Sequence, residues 1–306
     1  MAREALKRAL ERIGGTAEEH RPLSTATTFR IGGAAELFVE VPPQAAAEAV
    51  RLLTEEGLPV LWIGRGSNLL VGDGGVTGAV VRLTGVPEEL RRDGETVTAG
   101  AGCSLSALCR AAREAGLAGL EFAFGIPGTV GGGVYMNAGA YGGELRQVLE
   151  SVEVLRPDGS VCRRTAESLQ LGYRHSALME EGGVVLSAAF RLTPDDPAAI
   201  GARMEELMPR RREKHPLEYP SAGSFFKRPE GHFAGALIEQ CGLKGYRVGD
   251  AQVREKHAGC VVNRGRATCE QVCRLAQEVR TRVCDETGVT LCPEVRLIGA
   301  HWPWEK

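Results

Sequence analysis

The sequence has no long apolar run. Nothing in it approaches the ~18 residues that a membrane-spanning helix needs, so no membrane partner is expected. Residues 1–15 are charged and helical in pattern and lack the apolar stretch of a secretory leader, which makes a cytoplasmic location the expectation. Charge of one sign is also missing: 37 Lys and Arg stand against 39 Asp and Glu, a formal net charge of −2. That balance excludes the broad basic footprint of a nucleic-acid binder and leaves room for a small basic pocket. There is no CxxC or HxxxH pair. The nine cysteines are an odd number with no compact disulfide framework. Cys269 and Cys273, one helical turn apart, are therefore read as buried free thiols in a reducing compartment, and no metal is expected. No fixed-period repeat is present.

What is present is glycine, 40 of 306 residues, and it is clustered. Hydrophobic residues make up 43% and charged residues 25%, ordinary for a globular chain of about two domains. Residues 2–13 read as an amphipathic helix stopped by Gly14-Gly15. Residues 35–41 alternate like a half-buried strand and 44–56 read as a helix. Residues 60–63 form a short buried strand that runs into Gly64-Arg65-Gly66-Ser67-Asn68. Strands are expected at 69–71, 79–83 and 96–99. A helix follows from Ser104, its N-cap, to Ala115. Strands at 151–156 and 160–163 flank a Pro157-Asp158-Gly159 turn, and another covers 183–193. Residues 196–214 read as a helix divided by Pro209. A helix near 233–241, strands near 260–263 and over 289–298, and a helix from Thr268 to Thr287 complete the chain. The last of these helices opens with a capping box of Thr268 and Gln271.

Five segments can carry chemistry. In residues 63–70, glycines let backbone N–H groups approach a phosphate, although a plain turn needing positive φ reads equally well. In 125–133, glycine stands at 125, 128, 131, 132 and 133, a costly run to order, and the site reading is favoured over a hinge. Tyr173-Arg174-His175 offers a guanidinium beside an aromatic ring, suited to a carboxylate. Residues 220–229 set Ser224 before two phenylalanines, Lys227 and Arg228, without a hydrolase pattern. Glu294 and Arg296 lie two apart in a strand pattern and so share a face. Each of the last three, taken alone, reads more simply as a surface or turn feature. None of the glycine segments is a GxGxxG fingerprint or a Walker loop.

Taken in order, these segments resemble a known family. TTFRIGG, IGRGSNLL, GIPGTVGGGVYMNAGAYG, LGYRHS, PSAGSFFKRP, GLKG and PEVRLIG resemble the motifs of the UDP-N-acetylenolpyruvoylglucosamine reductases, the MurB flavoenzymes of bacterial peptidoglycan synthesis. The likeness runs from about Thr27 to Gly299, and the flavin part is similar to FAD domains of the vanillyl-alcohol-oxidase (PCMH) type. The resemblance implies an α+β fold: a two-part FAD-binding domain of PCMH type plus a smaller C-terminal α/β substrate-binding domain. The expected limits are an N-terminal helix in 1–19, a flavin domain over 20–195 split near 85, and a substrate domain over 196–306.

The resemblance further implies a UDP-N-acetylmuramate dehydrogenase that uses noncovalent FAD, with NADPH as hydride donor and UDP-GlcNAc enolpyruvyl ether as substrate. Arg174, Ser224 and Glu294 fall on its catalytic positions. Gly64, Arg65, Gly66, Ser67, Asn68 and Leu69, with Gly125, Ile126, Pro127, Gly128, Thr129, Gly131, Gly132, Asn137, Ala138 and Gly139, fall on cofactor positions. Tyr173, Lys227, Arg228, Lys244, His257 and Arg296 fall on or beside substrate positions. Arg174 would stabilise charge growing on the substrate carboxylate, a protonated Glu294 would hydrogen-bond it, and Ser224 would protonate the neighbouring carbon. Ping-pong kinetics and a monomer or weak homo-oligomer are expected. Arg228 stands where some members carry Asn, and His257 holds a variable position. The 49 residues between Arg174 and Ser224 leave little room for the substrate-covering loop of one subtype. The loop-less subtype is therefore assigned, and Tyr173 is not that loop's tyrosine. The rival readings are another FAD oxidoreductase of the same superfamily and a flavin-binding protein without turnover.

Overall fold

The computed structural model describes residues 2–85, 90–214 and 218–305. The chain folds into two compact units, each with its own core. The first comprises Met1–Glu18, Leu37–Arg65 and Gly78–Pro209; the second comprises Glu19–Glu36, Gly66–Thr77 and Arg210–Lys306. The expected limits differ from these. The segments 19–36 and 66–77 pack with the C-terminal third, and the later boundary falls inside the helix Pro197–Lys214, at Pro209.

The first unit holds a five-stranded antiparallel sheet in the order Val161–Thr165, Leu149–Leu155, Val184–Arg191, Thr96–Gly100, Arg91–Asp93. A second sheet runs Thr16–Glu19, Ala35–Val41, Val76–Leu83, Val60–Ile63, its last two strands parallel. The strand Ala35–Val41 was expected to alternate. Ala35, Leu37, Val39 and Val41 are buried while Glu36 and Glu40 are half-buried, and the one departure is Phe38, buried under the Arg82 guanidinium. The helix Leu105–Glu114 starts at Ser104, whose hydroxyl accepts from Ala107 N–H at 3.1 Å. Leu105, Leu108, Cys109 and Ala112 make its buried stripe, at the spacing that puts them on one helical face. They join Val97, Val152, Val154 and Phe190 of the sheet in one core.

The second unit holds an antiparallel sheet in the order Ser221–Ser224, Cys260–Asn263, Ala251–Val253, Arg247–Val248. The helix Cys269–Thr287 has the full expected capping box and ends on Gly288 in the left-handed conformation. Its buried face, Val272, Leu275, Ala276, Val279 and Val283, fills the core with Phe29, Ile31 and Leu70. Each large apolar side chain there contributes about 1.5–3 kcal/mol. The early segments are fastened to this unit by named bonds. Asp73 accepts from Cys269 N–H at 2.8 Å and Glu270 N–H at 3.0 Å, and Asn263 Nδ2 donates to Phe29 O at 3.3 Å.

The expected strand over 289–298 shrinks to Arg296–Ile298, paired in parallel with Leu69–Val71. Pro293 has no N–H to give a ladder, and it pairs with Phe226 as a single bridge. Among the described residues no helix is long and apolar enough to cross a membrane.

Candidate active site

In the first unit the glycine run is partly helical. Val130–Tyr135 forms a short helix whose N-cap Thr129 accepts from Gly132 N–H at 3.3 Å. Glycine is a poor helix former, and packing forces the choice. A Cβ on Gly131 would lie 2.8 Å from Ala101 Cβ, and one on Gly133 would lie 3.2 Å from Leu105 and Leu145. Gly64, at the end of the strand Val60–Ile63, approaches the same place: a Cβ there would come within 2.7 Å of Thr129 Oγ1. Gly132 is exposed, with only Thr129 Oγ1 near its own missing Cβ, at 3.4 Å. Gly64 and Gly131 thus let backbone pack closely against Thr129 and Ala101, and Gly132 presents bare backbone at the surface beside them. That backbone fits a flat or phosphate-bearing ligand that must lie against peptide groups.

Arg174 is tied to the far end of this run. Tyr173 and Arg174 form the two-residue tip of a turn closed by Gly172 N–H to His175 O at 3.1 Å and His175 N–H to Gly172 O at 3.3 Å. Arg174 takes a left-handed φ of 52° there, and its Nη2 donates to Gly139 O at 3.2 Å. Its guanidinium lies 5.5 Å from the centre of the exposed Tyr173 ring. Two buried groups hold the turn from below. Ser176 Oγ donates to Tyr135 O at 2.7 Å. Asn137, 1% exposed, donates through Nδ2 to Gly172 O at 2.9 Å and Glu144 Oε2 at 2.8 Å, and its Oδ1 accepts from Arg146 N–H at 3.0 Å.

Asn137 and Ala138 were expected to touch the cofactor. The Asn137 amide is spent inside the protein, and the Ala138 side chain is buried with its N–H donated to Gly133 O at 2.7 Å. The Asn137 side-chain bonds hold the Arg174 turn, and the Ala138 backbone bond ties the glycine run to it.

The second unit brings Ser224 and Glu294 onto two segments that clamp each other. Ser224 ends the edge strand and faces Cys260 after a register shift at Gly223, where φ is 79°. The next residue, Phe225, donates its N–H to Gly259 O at 2.8 Å and accepts from Glu294 N–H at 2.8 Å. Lys227 N–H then donates to Cys292 O at 2.8 Å. Asn68 brackets Glu294 on the other side. Its Nδ2 donates to Glu294 O at 3.0 Å and its carbonyl accepts from Arg296 N–H at 3.0 Å. Sequence reasoning gave Asn68 to the cofactor and missed this tie, because partners more than two hundred positions apart leave no local signal. The expectation that Glu294 and Arg296 share one strand face also changes. The strand begins only at Arg296, and the two N–H groups serve different partners.

Ser224 and Glu294 belong to the second unit and Arg174 to the first. IGRGSN divides in the same way, with Ile63 to Arg65 in the first unit and Gly66 to Asn68 in the second. Gly66, at φ 65°, sits where a Cβ would be 2.6 Å from Ala26 O and 2.8 Å from Thr27 Cα. Thr27 Oγ1 is buried, and no partner for it is found among the described residues. A buried hydroxyl without a partner costs free energy, so it marks a place where a ligand acceptor would be welcome. Thr27 was not among the expected site residues.

Of the expected substrate residues, Lys227, Arg228 and Arg296 are exposed. Arg228 stacks 4.5 Å from the centre of the exposed Phe233 ring. Lys244 pairs with Glu239. His257 is half-buried, its ring 3.0 Å from where a Gly235 Cβ would stand. Behind Ser224, burial pushes the Cys260 thiol up to about 11, an effect opposed by the Arg254 guanidinium and reinforced by the Glu294 carboxylate. The thiol is therefore neutral and inert at neutral pH. All nine cysteines are free, and Cys269 and Cys273 sulfurs lie 3.9 Å apart in the core.

Comparison with known proteins first defines the class. Residues 42–165 match the FAD binding domain family, and residues 215–298 match the family described as UDP-N-acetylenolpyruvoylglucosamine reductase, C-terminal domain. The chain is 49% identical over 293 residues to the UDP-N-acetylenolpyruvoylglucosamine reductase of Agathobacter rectalis, covering 92% of this chain and 93% of that one. It is 46% identical over 298 residues to UDP-N-acetylenolpyruvoylglucosamine reductase 2 of Symbiobacterium thermophilum, covering 97% and 96%. The crystal structure of the reductase from Thermus caldophilus superposes with a TM-score of 0.79 at 38% identity, over 92% of this chain and 99% of that one. The chain belongs to the UDP-N-acetylenolpyruvoylglucosamine reductase family.

Proposed function

We propose that this chain reduces the enolpyruvyl ether of UDP-N-acetylglucosamine to UDP-N-acetylmuramate, with NADPH as reductant and noncovalently bound FAD as carrier. The observation that carries the reading is the clamp in the second unit. One backbone bond, Glu294 N–H to Phe225 O at 2.8 Å, fixes a hydroxyl-bearing and a carboxyl-bearing segment to each other. When bound, FAD would supply two-electron hydride chemistry between NADPH and the substrate double bond. Gly64 and the 125–132 segment would hold it through backbone groups, and the Thr27 hydroxyl is available to an acceptor on a ligand of the second unit.

The chain's own residues do the rest. Reduction of the conjugated double bond puts negative charge on the carboxylate end, and Arg174, held at a fixed angle by its turn, neutralises it. Ser224 Oγ gives its proton to the adjacent carbon, a transfer suited to a strongly basic enolate-like acceptor. Glu294, protonated, donates a hydrogen bond to the same charge. A solvent proton then restores the Ser224 hydroxyl, and the sum is one hydride and one proton added across the double bond, with NADPH converted to NADP⁺. The free thiols suit the reducing cytoplasm in which we place the chain.

The test is anaerobic. The purified yellow protein is reduced with NADPH, and UDP-GlcNAc-enolpyruvate is then added while the flavin absorbance is followed. Bleaching followed by rapid recovery is expected. Bleaching without recovery would show a different substrate, and a colourless protein that takes up no FAD would refute the reading.

A further inference from the structure

The bond that clamps Ser224 to Glu294 runs through the backbone of Phe225, so whatever fixes Phe225 fixes their spacing. The Phe225 side chain is 1% exposed. Its ring meets Phe226 edge-on at 5.0 Å and Trp302 edge-on at 5.9 Å and 79°. Trp302, 6% exposed, stacks on Trp304 at 5.1 Å with the rings 7° from parallel. The Arg280 guanidinium lies 5.2 Å from the centre of the Trp304 ring, and Arg280 Nε donates to Leu291 O at 3.2 Å. Leu291 is fully buried and begins the segment that reaches Glu294. The contacts therefore close a circuit from Glu294 through Phe225, Trp302, Trp304, Arg280 and Leu291 back to Glu294. The tryptophan turn is also self-locked: Glu305 N–H donates to Trp302 O at 3.0 Å, and Trp302 N–H donates to Glu305 Oε2 at 3.3 Å. The match to the family's C-terminal domain stops at residue 298, before this stack begins.

We infer that Trp302 and Trp304 are positioning residues for the reaction, setting the distance between the Ser224 hydroxyl and the Glu294 carboxyl by holding the Phe225 ring. The inference rests on the roles proposed above for Ser224 and Glu294. Packed aromatic rings resist small displacements because contact is lost steeply with distance. Proton delivery to a reacting carbon tolerates only a small displacement. The stack thus acts on the step that uses Ser224 and Glu294 and leaves reduction of the flavin by NADPH alone.

The experiment follows the two half-reactions separately, by stopped-flow absorbance, in the FAD-loaded wild type and in Trp302→Ala, Trp302→Phe and Trp304→Ala. For Trp302→Ala, flavin reduction by NADPH is expected at the wild-type rate. Reoxidation by UDP-GlcNAc-enolpyruvate should slow on the order of tenfold to a hundredfold, with little change in the substrate concentration for half-saturation. Trp302→Phe should restore most of the rate. Equal slowing of both half-reactions, as a merely structural role would give, or of neither, would overturn the inference. If Trp302→Ala does not fold, the half-buried Trp304 decides: Trp304→Ala must show the same selective slowing, and its absence overturns the inference. A wild-type flavin that NADPH bleaches and the substrate leaves bleached would overturn the functional reading, and this inference with it.

Discussion

The two units carry their candidate residues by opposite means. The first leaves side chains out. Gly64, Gly131 and Gly132 expose or press together bare backbone, and the one strongly directed side chain, Arg174, stands on a turn pinned by the buried amide of Asn137. The second works by backbone pairing between irregular segments. Phe225 and Asn68 hold Glu294 from two sides, and Ser224 rides on the same clamp. A unit that must admit a large planar carrier benefits from absent side chains. A unit that must aim a proton at one atom benefits from a rigid, doubly bonded frame. The difference fits the clustering of glycines in one part of the chain and the scatter of the candidate residues Ser224 and Glu294 along another.

The comparison can be broken at several points. The largest expected effect on stability belongs to Asn137→Ala. It strands the Gly172 carbonyl and the Arg146 N–H and puts a less tolerant residue at φ 42°. Two unsatisfied groups at about 1–3 kcal/mol each should lower the unfolding midpoint clearly in urea titration. Turnover should fall with it as the Arg174 turn loosens. If Asn137→Ala were as stable as wild type, the buried amide would not be the pin. Gly131→Ala comes next: its Cβ would meet Ala101 Cβ at 2.8 Å, a contact with no flexible end to move aside. A loss of about 1–3 kcal/mol is expected, with weaker FAD retention on gel filtration.

In the second unit, Cys260 gives a pH signature. Its folded-state thiol titrates at about 11 instead of the ordinary 9.0. The group's contribution is fully present below pH 9; between 9 and 11 the unfolded chain ionises first, so stability falls as pH rises. Cys260→Ala should flatten that part of the stability curve. The smallest effect is Thr268→Ala, which removes the cap bond to Gln271 N–H at 3.2 Å. About 1 kcal/mol should be lost with turnover unchanged, since this cap is remote from the clamp's hydrogen bonds.

Much of the fold was readable where local chemistry decides it. Ser104 and Thr268 announce their helices as N-caps, and the spacing of Val272, Leu275, Ala276, Val279 and Val283 gives a buried helical face. The interleaving of the units was not readable. Nothing within residues 66–77 says that Asp73 will cap a helix starting at Cys269 or that Leu70 will join that helix's core. The helix inside the glycine run was hidden because propensity opposes it and only Ala101, Leu105 and Leu145 make it fit. The motifs singled out Arg174, Ser224 and Glu294 as candidates, and the structure adds the turn that carries the first and the clamp that carries the other two. The motifs did not show that the Asn137 amide pins the Arg174 turn or that Asn68 is tied to Glu294, because motif matching records which residues recur and not which atoms they spend on each other. Thr27 escaped for the converse reason: its hydroxyl stands out only once burial and the lack of a partner are seen.

The most direct test of this division of labour is Ser224→Ala, read through both half-reactions in the FAD-loaded protein. NADPH should bleach the flavin at the wild-type rate, because the first unit is untouched. Recovery on adding UDP-GlcNAc-enolpyruvate should slow by about 10²–10⁴-fold, because the second unit has lost its proton donor. Recovery at the wild-type rate would contradict the account.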